Sequence, residues 1–264
     1  MQHPHARHAG TRQLSAKPLA GRTAIITGGA RGLGFAIANR LAADGAMAAI
    51  VDIDGAEQAA ATIRAQGLKA VGILADVTQE AAVAAMAAKV EADNGCVDIL
   101  VNNAAISSSL RPTPFEALTV EEWRRVFDVN VLGLFLCARA VSAGMRARKA
   151  GRIINLASGA AFKGLPNFLH YVGSKGAILS MTRALAKEFD PDNMTVNAVA
   201  PGFILKDVEE PEANPYRASA LANRALSRDA YPADVVGTVA FLASDDAGFI
   251  SGQIIAVDRG SIYH

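Results

Sequence analysis

Short apolar runs alternate with stretches of helical periodicity along most of the chain. The apolar runs are rich in Val, Ile and Ala and occupy residues 23–27, 48–51, 70–75, 97–101, 153–157, 195–200 and 252–257. Between these runs, apolar residues recur about every three to four positions, which predicts amphipathic helices. Strands that are apolar throughout are typical of parallel sheets covered by helices on both faces. The pattern predicts an α/β fold of the Rossmann type, a doubly wound parallel seven-stranded sheet with right-handed crossovers, as a single domain over residues 19–264.

A glycine-rich turn follows the first apolar run. After Thr27 the chain reads Gly28, Gly29, Ala30, Arg31, Gly32, Leu33 and Gly34, and helical spacing begins at Phe35. Glycines between a strand and a helix let the backbone approach a pyrophosphate, which the N–H groups at the positive end of the helix then bind. A tight connection without a ligand is the alternative, but the strand-turn-helix context favours a dinucleotide site.

The second apolar run leads to an acidic residue, Asp52. A carboxylate at this position can accept hydrogen bonds from both hydroxyls of an adenosine ribose and repels a 2′-phosphate. Helix capping is the other common use of such a residue, but Asp54 and Glu57 already have the spacing of a capping box. We therefore expect Asp52 to be free for the ribose, which favours NAD over NADP.

A capping-box sequence, Thr119–Glu122, predicts the start of a long helix that reaches about Arg148. Asn130 lies inside this helix. Because an asparagine amide competes for backbone hydrogen bonds, we expect a local distortion of the helix there.

Tyr171 and Lys175 are four residues apart, which places a phenol and an ammonium on one face of a helix expected over residues 172–189. At an effective dielectric constant of about 20, a charge about 4 Å away is worth on the order of 4 kcal/mol. That interaction would lower a tyrosine pKa from about 10 to near 7, where an acid/base group works best. Ser158 directly follows the fifth apolar run, so its hydroxyl can face that helix. His170 is expected to point away from the phenol, since adjacent helical residues face about 100° apart.

These features resemble the short-chain dehydrogenase/reductase family. The resemblance is carried by the pattern T-G-x-x-x-G-x-G, by Ser158 and by Tyr171-x-x-x-Lys175, and it covers nearly everything from Leu19 onwards. It implies that Tyr171 is the acid/base and that Ser158 hydrogen-bonds the substrate oxygen. It further implies that Lys175 lowers the tyrosine pKa and holds the nicotinamide ribose, while Asn130 holds a water that leads to the lysine.

The same resemblance implies the cofactor contacts. They are Gly28, Arg31, Gly32, Leu33 and Gly34 in the turn, Asp52, the pair Asp76 and Val77 at the adenine, Asn103, Tyr171, Lys175 and Ile204. Asp76 belongs equally well to a helix cap before Thr78. A basic residue at the position of Arg31 often accompanies NADP in this family. Asp52 outweighs it in our interpretation, because burying a carboxylate against a phosphate costs more than an exposed arginine recovers.

The substrate side is less well defined by sequence. Lys206 stands where the family commonly has threonine, and we hypothesise that it meets an acidic group of the substrate. Residues 207–229 lack a clean period and follow a strand end, where lids usually lie, although a plain surface helix pair at 213–228 fits equally well.

Composition adds limits. The formal net charge of +1 gives no reason to expect nucleic acid or an acidic membrane as partner, and we expect no apolar run near the roughly 18 residues of a membrane span. Residues 1–18 have no signal-peptide core and are expected to be a flexible segment, although His3, His5 and His8 have a spacing that could bind metal. Only Cys96 and Cys137 are present, which favours buried thiols, a reducing compartment and a cytoplasmic location.

Taken together, the sequence predicts an NAD-dependent oxidoreductase that acts on a secondary or aryl alcohol or the corresponding ketone, with no metal. Two alternatives remain open. One is an NADPH-dependent 3-oxoacyl carrier-protein reductase, supported by Arg31. The other is a regulatory protein that binds NAD without turnover, against which the intact set of Ser158, Tyr171 and Lys175 argues. Analogy with the family implies a homotetramer.

Overall fold

The computed structural model describes residues 17–107, 109–205 and 217–263. Its centre is one parallel sheet of seven strands in the order β3-β2-β1-β4-β5-β6-β7. The strands are β1 (Thr23–Thr27), β2 (Met47–Asp52), β3 (Ala70–Leu74), β4 (Ile99–Asn102), β5 (Gly151–Leu156), β6 (Met194–Pro201) and β7 (Ile254–Val257). The predicted seven-stranded doubly wound sheet is confirmed. The strand order reverses between β1 and β4, which opens a crevice at the carboxyl ends of these strands, where ligands of this fold bind.

Helices cover both faces of the sheet. They are α1 (Gly32–Ala43), α2 (Ala56–Arg64), α3 (Glu80–Asn94), α4 (Val120–Phe127), α5 (Gly133–Arg148), α6 (Ala160–Lys163), α7 (Leu169–Phe189), α8 (Arg217–Ala222) and α9 (Ala233–Ala243). Successive side chains of a strand point to opposite faces. In β1, Ala24 and Ile26 pack with α1, α2 and α9, whereas Ile25 packs with α3, α5 and the end of α7. Burial of one isoleucine side chain in this core stabilises the fold by about 1.5–3 kcal/mol.

The run from Val120 to Arg148 is one helical stretch with a defect in it. Its start is the predicted capping box, since Thr119 Oγ1 accepts from the Glu122 N–H and the Glu122 carboxylate accepts from the Thr119 N–H. Residues Asp128–Leu132 form a turn of π-helix around Asn130, which confirms the expected distortion. A π turn puts one extra residue into the helix, and such turns are frequent at functional sites.

No uninterrupted apolar run in this helical stretch reaches 18 residues, as expected, but a candidate membrane span is also defined by helix length and average hydropathy. Val120–Arg148 passes that test by length and composition alone, with a mean hydropathy of 1.6 over its most apolar window. Here its apolar side chains Leu136, Val141 and Met145 pack against the sheet in the second core layer. The core-facing side of a helix in an α/β fold is apolar for the same reason as a membrane helix, so composition does not separate the two.

Two local expectations need correction, and a third is covered only in part by the described residues. No capping box forms at Asp54, because Gly55 is the N-cap of α2, and the Glu57 carboxylate pairs with Arg64 instead. Helix α7 begins at Leu169 rather than at residue 172, so Tyr171 lies in its first turn. In the region expected to be a lid or a helix pair, the described part contains only the short α8, and Lys206 with residues 207–216 lies outside the described residues.

Candidate active site

The glycine turn fits a phosphate group. Gly28 has a φ of +62°, and a Cβ there would lie 2.8 Å from Ala104 Cα, so the turn packs tightly onto the end of β4. Gly32 has a φ of +55°, and a Cβ there would meet no atom of the described residues within 4 Å, which leaves open space in front of it. Helix α1 starts after Arg31 without a side-chain cap. Its first N–H groups therefore point into that space with the positive end of the helix dipole behind them, as a pyrophosphate requires.

Asn103 holds this turn in place. Its Nδ2 donates to the carbonyl oxygens of Thr27 (3.0 Å) and Gly28 (2.9 Å). Thr27 Oγ1 in turn accepts from the N–H groups of Asn103 and Ala104, at 3.1 Å each. The Asn103 side chain thus braces the glycine turn instead of reaching into the crevice. Thr27 is the first residue of the T-G-x-x-x-G-x-G pattern, but its role in holding the end of β4 did not emerge from the sequence.

Asp52 ends β2 beside the same turn. Its Oδ2 accepts from the Ala30 N–H at 3.1 Å and its Oδ1 from the Ile53 N–H at 2.8 Å. Asp52 is therefore not fully free, but a carboxylate has about four acceptor positions, and two remain for ribose hydroxyls. The Arg31 side chain is exposed nearby, and within the described part of the chain its guanidinium has no hydrogen-bond or ion-pair partner.

Asp76 and Val77 follow β3 at the edge of the crevice. Asp76 Oδ1 accepts from the N–H (2.9 Å) and the hydroxyl (2.8 Å) of Thr78, which makes a local turn. It does not cap α3, whose N-cap is Gln79. Val77 is buried, and its Cγ2 would lie 2.7 Å from a Cβ on Gly133, so this glycine makes room for the valine.

Ser158, Tyr171 and Lys175 come together beyond the carboxyl end of β5. The hydroxyl of Ser158 lies close enough to the phenol of Tyr171 to lower the pKa of that phenol. Lys175 is buried; its Nζ donates to the Leu156 carbonyl at 2.7 Å and lies 5.9 Å from the centre of the Tyr171 ring. The three side chains form one cluster open to the crevice.

Burial controls the charges in this cluster. It raises the pKa of Tyr171 above its ordinary value, although the nearby Ser158 hydroxyl acts in the opposite direction. Burial also lowers the pKa of Lys175 to about 8. The expected drop of the tyrosine pKa to near 7 is therefore wrong for the protein without a ligand. The physical reason is that loss of solvation outweighs a charge that is nearly 6 Å away and already bonded to a carbonyl.

Asn130 sits behind the cluster as a connector. Its Oδ1 accepts from the Ile106 N–H at 2.8 Å, and its Nδ2 donates to the Ile106 carbonyl (3.2 Å) and to Ser174 Oγ (3.0 Å). Ser174 Oγ donates to the Tyr171 carbonyl at 2.7 Å. Asn130 thereby fixes the segment after β4 to the first turns of α7. Ser174 is fully buried and was missed from the sequence; its position three residues after Tyr171 was the only clue.

The remaining predicted contacts lie at the edges of the crevice. Leu33 and Ile204 are half-buried and pack against the first core layer. The loop that carries Ile204 is held by Arg224, a buried arginine that donates to the Phe203 carbonyl. His170 is buried, its Nδ1 has no partner in the described structure, and burial lowers its pKa. Its electrostatic partner is Glu122 on α4, which agrees with a packing role away from the phenol.

Other candidate sites are few. Among residues 17–107, 109–205 and 217–263, no group of three or more His, Cys, Asp or Glu side chains could hold a metal ion. The cluster of His3, His5 and His8 lies outside these ranges. Cys96 and Cys137 are both free thiols.

The fold and the site define a dinucleotide-binding α/β protein with a Ser/Tyr/Lys cluster at the carboxyl edge of its sheet. Comparison with known proteins agrees. The family model described as enoyl-(acyl carrier protein) reductase, a short-chain dehydrogenase model, matches residues 28–261. The chain is 36% identical over 242 residues to the 3-oxoacyl-[acyl-carrier-protein] reductase FabG of Staphylococcus aureus (strain Mu50), covering 90% of this chain and 97% of that one.

Two further relatives widen the picture. The cis-4-hydroxycyclohexanecarboxylate dehydrogenase of Sinomonas cyclohexanicum is 36% identical over 240 residues, which cover 90% of this chain and 96% of that one. A crystal structure from Sinorhizobium meliloti 1021, provisionally described as a short-chain alcohol dehydrogenase, superimposes with a TM-score of 0.87 at 33% identity, covering 94% of this chain and 98% of that one. The chain belongs to the short-chain dehydrogenase/reductase family and is an oxidoreductase that uses a nicotinamide cofactor.

Proposed function

We propose that the protein is an NAD-dependent dehydrogenase that interconverts a secondary or aryl alcohol and its ketone, with Tyr171 as the acid/base. The observation that carries this proposal is that Ser158, Tyr171 and the buried Lys175 lie together at the carboxyl end of β5, with Lys175 Nζ 5.9 Å from the centre of the Tyr171 ring. One of the relatives is named for a secondary ring alcohol, which supports this class of substrate.

When bound, the nicotinamide supplies the hydride acceptor in oxidation and the hydride donor in reduction. In the oxidation direction, the phenolate of Tyr171 takes the proton of the substrate hydroxyl. Ser158 donates a hydrogen bond to the substrate oxygen as that oxygen gains carbonyl character. Lys175 stabilises the phenolate and offers N–H donors to the nicotinamide ribose. Asn130 supports a proton path to solvent by holding a water that leads to Lys175.

The proposed cofactor contacts follow the crevice. Gly32 leaves open space for the pyrophosphate, with Leu33 and Arg31 beside it, and Gly28 and Gly34 allow the close packing that shapes the turn. Asp52 accepts from the ribose hydroxyls, which is the reason for preferring NAD. Asp76 and Val77 contact the adenine, and Ile204 contacts the nicotinamide. Asn103 contributes by fixing the turn.

The test is the initial rate of NADH formation with a panel of secondary, aryl and ring alcohols, for the unmodified protein and for Tyr171→Phe. Removing the acid/base should lower kcat by about 10²–10⁴-fold. Nucleotide binding, followed by NADH fluorescence, should stay within about threefold, because Tyr171 is only one of many cofactor contacts. Turnover that survives the substitution would refute the role of Tyr171.

A 3-oxoacyl carrier-protein reductase is the second candidate. It is supported by the resemblance to FabG over almost its whole length and by the exposed guanidinium of Arg31, which suits a 2′-phosphate. A 3-oxoacyl thioester reduced faster with NADPH than any alcohol is oxidised with NAD would favour this candidate. A protein that binds the nucleotide without turnover on either substrate class would be a sensor.

We further propose a homotetramer of cytoplasmic location. The free thiols of Cys96 and Cys137 suit a reducing compartment. Two separate groups of exposed aromatic side chains, on α4 and α5 and around α9, suit the two different interfaces that a dihedral tetramer needs.

A further inference from the structure

The segment after β7, residues 258–263, contacts α6, the residues just beyond α8 and the loop after β6, all on the substrate side of the site. We call it the clasp. Lys163, at the end of α6, bonds through its Nζ to Ser261 Oγ. The Arg259 carbonyl accepts from the Ala225 N–H at 3.1 Å, just beyond α8. The loop after β6 lies against it too, since a Cβ on Gly202 would be 2.8 Å from Asp258 Cβ.

The clasp is folded onto itself as well. Asp258 is buried, and its Oδ1 accepts from the Ser261 N–H at 3.3 Å. The Tyr263 hydroxyl would lie 2.8 Å from a Cβ on Gly260. Arg259 has a left-handed backbone with a φ of +59°, which costs a non-glycine residue on the order of 1 kcal/mol. These internal contacts hold the clasp in one shape, with Ile262 turned towards the active site.

Ile262 reaches the point where the two active-site loops meet. Its Cδ1 would be 2.9 Å from a Cβ on Gly159, the residue after Ser158. The other atoms near that position are the Pro201 carbonyl oxygen at 3.4 Å and Gly202 Cα at 3.8 Å. The loops are joined directly by a hydrogen bond from the Gly159 N–H to the Pro201 carbonyl at 2.8 Å.

We propose that the clasp sets the distance between the Ser158 loop and the loop that leads to Ile204, and that Ile262 is the positioning residue through which it acts. The inference rests on the proposed function, because a reaction that takes place between Ser158 and the nicotinamide side requires the two loops to stay at a fixed distance. The two loops leave different strands, β5 and β6, and a misplacement of about 1 Å between reacting groups can cost about 10²-fold in rate. A side chain that fills the space beside Gly159, next to the Pro201 carbonyl, limits that freedom.

Hydrogen exchange tests the clasp without any need for turnover. In Ile262→Ala, exchange should rise at least about threefold in peptides covering 158–163 and 201–205, because their shared support is lost. Peptides from β1 and α1 should not change. The matched control is Ile255→Val in β7, a residue that packs against the first core layer. Unchanged exchange in both loops would overturn the proposal.

A double-mutant cycle tests the contact itself. Gly159 has a φ of −57°, so alanine is allowed there, and among the described residues the one atom closer than 3.4 Å to its Cβ would be the terminal methyl of Ile262. Gly159→Ala should lower kcat about tenfold or more while the KM for alcohol changes less than about threefold. Adding Ile262→Val, which removes that methyl, should restore most of the loss, whereas adding Ile255→Val should not.

The outcomes separate the two proposals. If the unmodified protein turns over no substrate but Ile262→Ala still speeds exchange in both loops, the proposed function fails and the clasp stands. If exchange rises and kcat of Ile262→Ala stays unchanged, the positioning role of Ile262 is overturned. If Ile255→Val restored kcat of Gly159→Ala as well as Ile262→Val does, the positioning role would also be overturned. The rescue would then come from a general loosening of the edge of the sheet.

Discussion

At the scale of single residues, Lys175 is a charged group in a place that water does not reach. Its Nζ donates to the Leu156 carbonyl, and burial lowers its pKa to about 8. The unfolded chain holds the same proton with a pKa near 10.5. The folded state is therefore destabilised at every pH where the lysine is charged. This loss of stability decreases as the pH rises from about 8 towards 10.5.

Lys175→Met should accordingly stabilise the ligand-free protein. At pH 7 we expect a gain of about 1–3 kcal/mol in the free energy of unfolding, since the buried charge is removed at the cost of one hydrogen bond. The gain should shrink as the pH approaches 10, while activity is lost at every pH. Urea unfolding of both proteins between pH 7 and pH 10 measures it. A gain that does not vary with pH would show that charge burial is not its origin.

The choice of cofactor also belongs to single residues. In the proposed function, Asp52 and Arg31 flank the adenosine ribose with opposite charges. The Asp52 carboxylate also supports the glycine turn through the Ala30 N–H. Repulsion by Asp52 and attraction by Arg31 would act on the same 2′-phosphate of NADP. The preference for NAD or NADP therefore depends on which of the two charges is closer to that phosphate.

Asp52→Asn keeps a hydrogen-bonding group of the same shape and removes the charge. We expect the ratio of kcat/KM for NAD to that for NADP to fall by about 10–100-fold, which corresponds to about 1.4–2.8 kcal/mol. Arg31→Gln should shift the ratio the other way. Steady-state kinetics with both nucleotides measures the two variants. If Asp52→Asn weakens both nucleotides equally, its role is to support the turn and not to select the cofactor.

At the scale of an element, the turn from β1 into α1 uses its glycines for two different reasons. Gly32 needs its left-handed φ of +55° but has open space around it. At Gly34 the conflict is one of space, because a Cβ there would lie 2.0 Å from the Gly28 carbonyl oxygen. The first glycine is required by backbone conformation and the second by packing of the helix onto the turn.

Alanine substitutions should separate these reasons. Gly32→Ala should cost about 1 kcal/mol of stability, as a non-glycine residue in a left-handed conformation does. Gly34→Ala should cost several-fold more and should abolish nucleotide binding, since either Gly28 or the start of α1 must move. Thermal unfolding together with NADH fluorescence measures both effects. Equal costs for the two variants would contradict this division.

At the scale of the whole molecule, two groups of exposed aromatic side chains lie in the helical layers on opposite faces of the sheet. Phe135 on α5 and Trp123 on α4 belong to the layer on one face of the sheet. Phe241 on α9 belongs to the opposite layer, and Phe249 follows it with its side chain fully exposed. Exposed apolar groups of this kind mark interfaces, and a dihedral tetramer uses two distinct ones.

Each patch should control one of the two interfaces. Sedimentation of the unmodified protein should give the mass of four 27.4 kDa chains. We expect two-chain species for both Phe135→Glu and Phe249→Glu, and single chains when they are combined, because a buried unpaired charge costs several kcal/mol per interface. Leu74→Glu, on an exposed position of the edge strand β3, is the control and should leave the tetramer intact. A monomeric unmodified protein would refute the homotetramer.

The sequence by itself determined the sheet, the turn and the chemistry. Strands that are apolar on both faces, a glycine turn before Phe35, and the capping box at Thr119–Glu122 are short-range patterns, and each reports on its own segment without help from the rest. Asn130 is also a local signal, because an asparagine side chain is unfavourable inside a helix whatever the helix packs against. The spacing of Tyr171 and Lys175 is set by the helix alone.

Only the tertiary structure decided what these groups experience. The pKa of Tyr171 rises because the whole fold removes water from it, and that loss of solvation cannot be read from a spacing of four residues. Asn103 supports Gly28 across about 75 residues of chain, and Ile262 reaches Gly159 across about 100. Such contacts arise where strands that are distant in sequence end side by side, so their partners are chosen by the order of the strands and not by any local pattern.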